Sequence, residues 1–373
     1  AALIGALRSV VRTMIRLFRA STFRCLDSIE IHLAPDFNLS YGANASGKTS
    51  LLEAVAYLGR GKSFRGAGTG DLIQHGKDEF VLFGQVQCHS RTRSLGAKNS
   101  RAGLEVRVDG DSEGGAAALA EAMPLQVIDP EVHNLVAGGP ELRRRFIDWV
   151  AFHVEQEHLL AWRRFKRALK QRNAALKSKS SAATINSWNA EFVDVGIQLD
   201  DSRRRALEVA LEGLTSFGEK LLATDLKFDY QQGWGRDKDL GQALVEGLQR
   251  DMLFGATQQG PHRADLKISY DERQARKLVS RGQQKLLASA MILAAAETAQ
   301  TALERPLLLL LDDPAAELDE DSLGRLMDAV AGLGCQVIAT GLAPDSIPVP
   351  PGAAVFHVEQ GCLTPTQVPG NAP

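Results

Sequence analysis

The octet Gly42-Ala43-Asn44-Ala45-Ser46-Gly47-Lys48-Thr49 decides the fold of this chain. It fits the pattern G-x-x-x-x-G-K-[ST], and its flanks are the ones that pattern needs. A strand-like stretch ending in Asn38-Leu39-Ser40-Tyr41 precedes it, and Leu51, Leu52, Val55 and Leu58 follow at helical spacing over 49–58. A loop of this kind turns backbone N–H groups and the positive end of a helix toward phosphate. Lys48 is then expected at the β- and γ-phosphates and the Thr49 hydroxyl on Mg²⁺.

Such a site needs a buried strand ending in a carboxylate. Five consecutive leucines, 307–311, suit a strand covered on both faces, and Asp312-Asp313 follows them. Asp312 is expected to hold the Mg²⁺ shell, and Asp313 stands where a general base for the attacking water belongs. A third segment, Ser280-Arg281-Gly282-Gln283-Gln284-Lys285, opens an apolar helix. Alone it reads as an ordinary helix cap. Beside Asp312-Asp313 and Glu317-Leu318-Asp319 it reads as a second phosphate-facing element.

Length and composition set the frame. The 373 residues suggest about two domains. With 44% hydrophobic and 24% charged residues, the chain is an ordinary globular protein. A formal charge of -2 excludes polyanion binding by net charge, so any nucleic-acid contact must come from local patches. Cys25, Cys88, Cys335 and Cys362 are scattered, which argues against a zinc site or disulfide framework and fits a reducing, cytoplasmic setting. The longest apolar run, 286–296, is short of the ~20 residues that span a bilayer. Residues 1–24 carry five arginines and no acid, a composition like that of a transit peptide. Met14 opens a patterned strand, so residues 1–13 are expected to be an upstream extension.

Along the chain, strands are expected within 14–41, at 79–87 and 103–108 with a basic loop between them, and at 125–128. From 140 to 223 the pattern is helical and charged, and residues 142–177 hold ten Lys/Arg against three Asp/Glu. A strand at 226–230, a helix near 239–250 and strands at 307–311 and 336–339 follow. The fold class is α/β: a P-loop NTPase with a mixed sheet and flanking helices, interrupted by a helical arm. The expected divisions are 14–125 for the first ATPase part, 126–250 for the arm and 251–373 for the C-terminal ATPase part.

Taken together, the octet at 42–49, the signature at 280–285, the strand at 308–313 and the loop at 317–319 resemble an ABC-type ATPase head. The wide separation of the first two, with an arm between, resembles the SMC-like DNA repair ATPases. Gly61-Lys62-Ser63-Phe64-Arg65, Arg144-Arg145-Phe146-Ile147-Asp148-Trp149, Leu169-Lys170-Gln171-Arg172-Asn173 and Gly260-Pro261-His262-Arg263-Ala264-Asp265 narrow the likeness to the RecF family.

The resemblance implies ATP and Mg²⁺ as ligands, with residues 42–49 around the nucleotide. Ser280, Gly282 and Gln283 would cap the ATP held by the Lys48 of a second copy. It implies an ATP-dependent homodimer on double-stranded and gapped DNA, slow hydrolysis, and work with RecO and RecR in loading RecA during replication, SOS-linked repair and homologous recombination. A non-hydrolysing ATP-gated DNA clamp is the alternative. Arg143, Arg144, Arg145, Arg163, Arg164, Lys166, Arg167 and Lys170 are the DNA candidates, with Arg163, Arg167 and Lys170 on one helical face. His262-Arg263 reads equally as a buried structural pair. Three positions depart from the family or need assignment. Ala45 replaces a usual Gly and strains the loop if φ is positive there. Thr340 stands in the region where transporter relatives carry a switch His. Gln126 is the candidate Mg²⁺-sensing glutamine.

Overall fold

The computed structural model describes residues 14–366, except 89–90, 113, 225, 271–272 and 279. The expected extension, 1–13, lies outside the described residues. In chain order the elements are β1 (Met14–Phe23), β2 (Leu26–His32), β3 (Phe37–Tyr41), α1 (Lys48–Arg60), α2 (Thr69–Leu72), β4 (Glu79–Cys88), β5 (Arg91–Ser100), β6 (Gly103–Val108), α3 (Ala116–Ala122), β7 (Leu125–Ile128), α4 (Asn134–Ala137), α5 (Pro140–Val154) and α6 (His158–Lys177). They continue with α7 (Ala182–Asn186), α8 (Asn189–Leu222), β8 (Leu226–Gln231), α9 (Leu240–Phe254), β9 (Asp265–Tyr270), β10 (Arg273–Gln274), α10 (Ala275–Leu278), α11 (Arg281–Leu303), β11 (Leu308–Leu311), α12 (Glu320–Gly332), β12 (Gln336–Gly341), β13 (Ala354–Glu359) and β14 (Cys362–Thr366).

The described residues form two compact units, one up to residue 132 together with those from 303 onward, the other 133–302. The divisions fall at 132/133 and 302/303 rather than at 125/126 and 250/251. β8 pairs with β9, which ties the segment after 250 to the helical unit, and the signature segment goes with it.

The first unit holds two sheets. One is antiparallel, in the order β2-β1-β4-β5-β6. The other runs β14-β13-β3-β12-β11-β7, parallel from β13 to β7. Leu51 to Gly59 of α1 are all buried, and one core cluster joins α1 to both sheets. β7, β11 and β12 are buried at every position, which is why β11 can be all leucine. Gln336 clips the sheets together: its amide accepts from Ile15 N at 2.8 Å and donates to Ile15 O and Ala34 O at 3.1 and 2.7 Å.

The expected basic loop between the second and third hairpin strands is instead β5. Leu95, Ala97 and Asn99 alternate into the core while Arg91 and Arg93 point out, so period-2 burial overrides the polar composition. In the second unit α5 and α8 pack on the β10-β9-β8 sheet, and α6 and α9 pack on α8. The turn between α6 and α7 falls at Ser178, Ser180 and Ser181. α11 is apolar and long enough to cross a bilayer, but 72% of its apolar window is buried within the protein, the mark of a core helix.

Candidate nucleotide site

The phosphate loop connects the central strand β3 to α1. Backbone space there is scarce: a Cβ on Gly42 would come within 2.3 Å of Val358 O, and one on Gly47 within 3.1 Å of Cys25 Sγ. Gly47 also has φ 114°, a conformation that side chains resist. Ala45 adopts φ 62°, so the strain conditional on that angle is present. The loop is tied down by Gly361 N–H donating to Ser46 O at 2.8 Å. Lys48 Nζ donates to Gly42 O and Ala43 O, both at 2.7 Å, so the ammonium lies over its own loop. Burial lowers its pKa against the pull of Asp313 and Asp312.

Strand order brings the carboxylates to this loop. β12 lies between β3 and β11, so its last residues separate the loop from Asp312. Thr49 Oγ1 donates to Asp312 Oδ1 at 3.0 Å, across 263 residues of sequence. Thr340, at the end of β12, donates its hydroxyl to the same oxygen at 2.8 Å and accepts from Asp313 N–H at 2.9 Å. Its hydroxyl is thus engaged on the carboxylate turn, and the switch position holds a clasp. Asp313 itself adopts φ 48°. Burial raises the Asp312 pKa, opposed by the Thr340 and Thr49 hydrogen bonds, and the Arg65 charge also favours its ionised form.

Gln126 does not reach this edge. It pairs in register with Leu309, three residues before Asp312, is buried, and accepts from Arg60 Nη2 at 3.3 Å. Asp129 stands at the edge instead, one residue past Ile128, the register partner of Leu311. Burial and the charge of Asp312 push it up to about 6, and burial brings neighbouring Arg60 down to about 10. Sequence reading missed Asp129; the signal was its place one residue after a short apolar strand.

The donor set fits a magnesium nucleotide. A hydroxyl and a carboxylate lie at hydrogen-bond distance in the loop–strand corner, as an oxygen-seeking Mg²⁺ requires. Ser46 Oγ, inside the loop, is buried with no hydrogen-bond partner. Asp319 caps α12 by accepting from Ser322 N–H at 2.7 Å.

In the helical unit, the signature begins α11 as a reciprocal capping box. Ser280 N–H donates to Gln283 Oε1 at 2.8 Å and Gln283 N–H to Ser280 Oγ at 3.3 Å. Ser280 and Gln283 are exposed and Gly282 is half-buried, so the cap presents its outer side to solvent.

The DNA candidates divide. Arg143 is a correction: it is buried, bidentate to Asp265 at 2.7 and 3.2 Å, and donates to Gly138 O at 2.9 Å, leaving no guanidinium face for phosphate. Arg144 is half-buried and donates to Ala264 O at 2.8 Å; Arg145 is exposed and pairs with Glu141 at 2.5 Å. Arg164 pairs with Glu191 and Asp194. Lys166 lies 4.1 Å over the Trp162 ring. Arg163, Arg167 and Lys170 are exposed and, among the described residues, form no ion pair. His262 is mostly buried, bonded to Thr257 O at 2.8 Å and held down to about 4 by burial, so it stitches the unit together.

A phosphate loop beside a carboxylate-ended leucine strand, with a capped signature helix in a second unit, defines an ABC-type ATPase head of the SMC class. The family profile described as the RecF/RecN/SMC N terminal domain matches residues 14–349. The DNA replication and repair protein RecF of Azotobacter vinelandii is 39% identical over 355 residues, covering 92% of this chain and 96% of that protein. The RecF of Shewanella halifaxensis is 37% identical over 349 residues, covering 92% and 95%. The chain belongs to the RecF family of DNA replication and repair proteins. Among solved structures, the recombination mediator protein RecF-ATP in the RecFOR pathway superposes with TM-score 0.88 at 22% identity, covering 97% of this chain and all of that one. An Smc head domain from Pyrococcus furiosus gives 0.57 at 14% identity, covering 95% and 96%. These two likenesses concern the fold.

Proposed function

We propose that the chain is an ATP-gated, DNA-binding ATPase of recombinational repair, active as a homodimer in the cytoplasm on the nucleoid. The observation that carries this is the corner where Thr49, Asp312 and Thr340 converge beside a phosphate loop with a buried, unpartnered Ser46 hydroxyl. Residues 42–49 bind the phosphates of ATP, with Lys48 leaving its loop carbonyls for them. Thr49 and Asp312 hold Mg²⁺, which supplies charge neutralisation at the phosphates. Asp313, held by its N–H on Thr340, accepts the proton of the attacking water. Ser280, Gly282 and Gln283 close the site on the partner copy.

Dimerisation aligns two rows of arm cations on double-stranded DNA, and hydrolysis releases the pair. By analogy with the family, the dimer marks the duplex beside single-strand gaps and works with RecO and RecR to load RecA. The test is sedimentation with saturating ATP and Mg²⁺. Wild type dimerises. Ser280→Arg keeps near-normal ATP affinity but stays monomeric, and its DNA binding falls. A Ser280→Arg dimer as stable as wild type rejects the shared site.

A further inference from the structure

One face of α6 carries a row of cations. Arg163, Arg167, Lys170 and Lys177 lie within about 80° of one another and span about 21 Å at 1.5 Å per residue. All four are exposed, and among the described residues none forms an ion pair. The row ends against the C-terminus of α9: a Cβ on Gly255 would lie 4.0 Å from Lys177 Cγ. There Leu253 is 81% exposed and Phe254 61%, with Met252 beside them. The Arg250 guanidinium lies 5.9 Å from the Phe254 ring centre.

This apolar end is not a frayed one. Gly255 closes α9 with its N–H on Asp251 O. Asp251 pairs with the fully buried Arg172 at 2.7 Å and accepts from Gln258 N–H at 2.8 Å, while Thr257 is bonded to both Arg172 and Asn173. The two protruding side chains therefore stand on a fixed base. Acids are sparse near the knob: residues 172–190 and 252–264 contain no Asp or Glu, and Asp251 is buried. A row of unpaired cations leading to a rigid aromatic and aliphatic knob complements a polyanion whose apolar ring faces are accessible.

We propose that Leu253 and Phe254 form a wedge that packs on the base faces exposed where stacking in DNA is interrupted, while the α6 row holds the adjoining duplex phosphates. This rests on the DNA-binding reading above and adds to it the side chains that would recognise the gap. In a continuous duplex the base faces are covered, so the wedge contributes only where an end, nick or gap uncovers them.

The test uses the full chain with ATP and Mg²⁺ and two probes. One is a duplex closed by hairpins at both ends; the other is the same duplex with a central single-strand gap and 2-aminopurine beside it. Wild type is expected to favour the gapped probe about tenfold, the worth of about one stacked base, and to change the 2-aminopurine fluorescence. Leu253→Ser/Phe254→Ser should bring the ratio to about one and abolish the fluorescence change, with closed-duplex affinity within about twofold of wild type. Lys170→Glu/Lys177→Glu should weaken both probes together. Equal binding of both probes by wild type, or a double serine variant that keeps the wild-type preference, overturns the wedge and leaves the patch to a protein partner. Failure of wild type to bind either probe refutes the DNA-binding reading, and the wedge with it.

Discussion

Replacing Thr340 with valine isolates the clasp between β12 and the carboxylate turn. Valine keeps the branched shape and removes one oxygen. That oxygen makes two bonds: it donates to Asp312 Oδ1 at 2.8 Å and accepts Asp313 N–H at 2.9 Å. A hydrogen bond to an ionised group contributes about 1.5–3 kcal/mol, and an orphaned buried N–H costs about 1–3 kcal/mol. The two terms share one site and partly overlap, so about 3 kcal/mol of destabilisation is expected. The sign with pH follows. The Thr340 bond favours ionised Asp312, so its share is present while Asp312 is charged and disappears as pH falls through its folded pKa. Urea unfolding in EDTA at pH 8 and pH 4 measures both. Thr340→Ser should recover most of the loss. A valine variant within about 0.5 kcal/mol of wild type at pH 8 would refute the account, since no surviving clasp bond could then be contributing.

Asp129→Asn should stabilise the protein above pH 7 by about 2–3 kcal/mol, because a carboxyl raised to about 6 costs stability once ionised; the gain should vanish below about pH 4, and a pH-independent difference in urea midpoints would contradict it. Ala45→Gly relieves left-handed strain of about 1–2 kcal/mol at an unfolded-state entropy cost of about 0.4–1 kcal/mol, so a net gain of about 0.5–1 kcal/mol is expected by chemical denaturation, and a clear loss would count against the φ of 62°.

The loop at 42–49 and the carboxylates at 312–313 were legible because each is a local pattern with a local cause. What joins them was not. Thr340 serves Asp312 only because β12 inserts between β3 and β11, an order set by pairing across some 300 residues, and no short-range signal records it. Arg143 misled for a related reason. Three consecutive arginines read as a surface, yet helical spacing sends one of them inward, where Asp265, 122 residues further on, awaits it. Gln126 was chosen by residue type, whereas register sets it beside Leu309 and leaves Asp129, just past the end of β7, nearest the carboxylate edge. β5 was read as a loop because it opens with Arg91 and Arg93 and is otherwise largely polar, although pairing depends on alternation.

The long-range pairing of β3 also fixes an order of events on the ribosome. The antiparallel sheet, all within residues 14–108, can close on itself as soon as it emerges. β3 has no such partner: Asn38 meets Val337 across 299 residues, and β13 comes later still. At about 5–20 residues per second, the phosphate-loop strand waits about 15–60 s for its neighbours. During that interval a strand with both edges unpaired is exposed, while the helical unit, contiguous in sequence, has time to form. The nucleotide corner therefore assembles only late, and a chain released before residue 336 lacks the strand that carries Thr340.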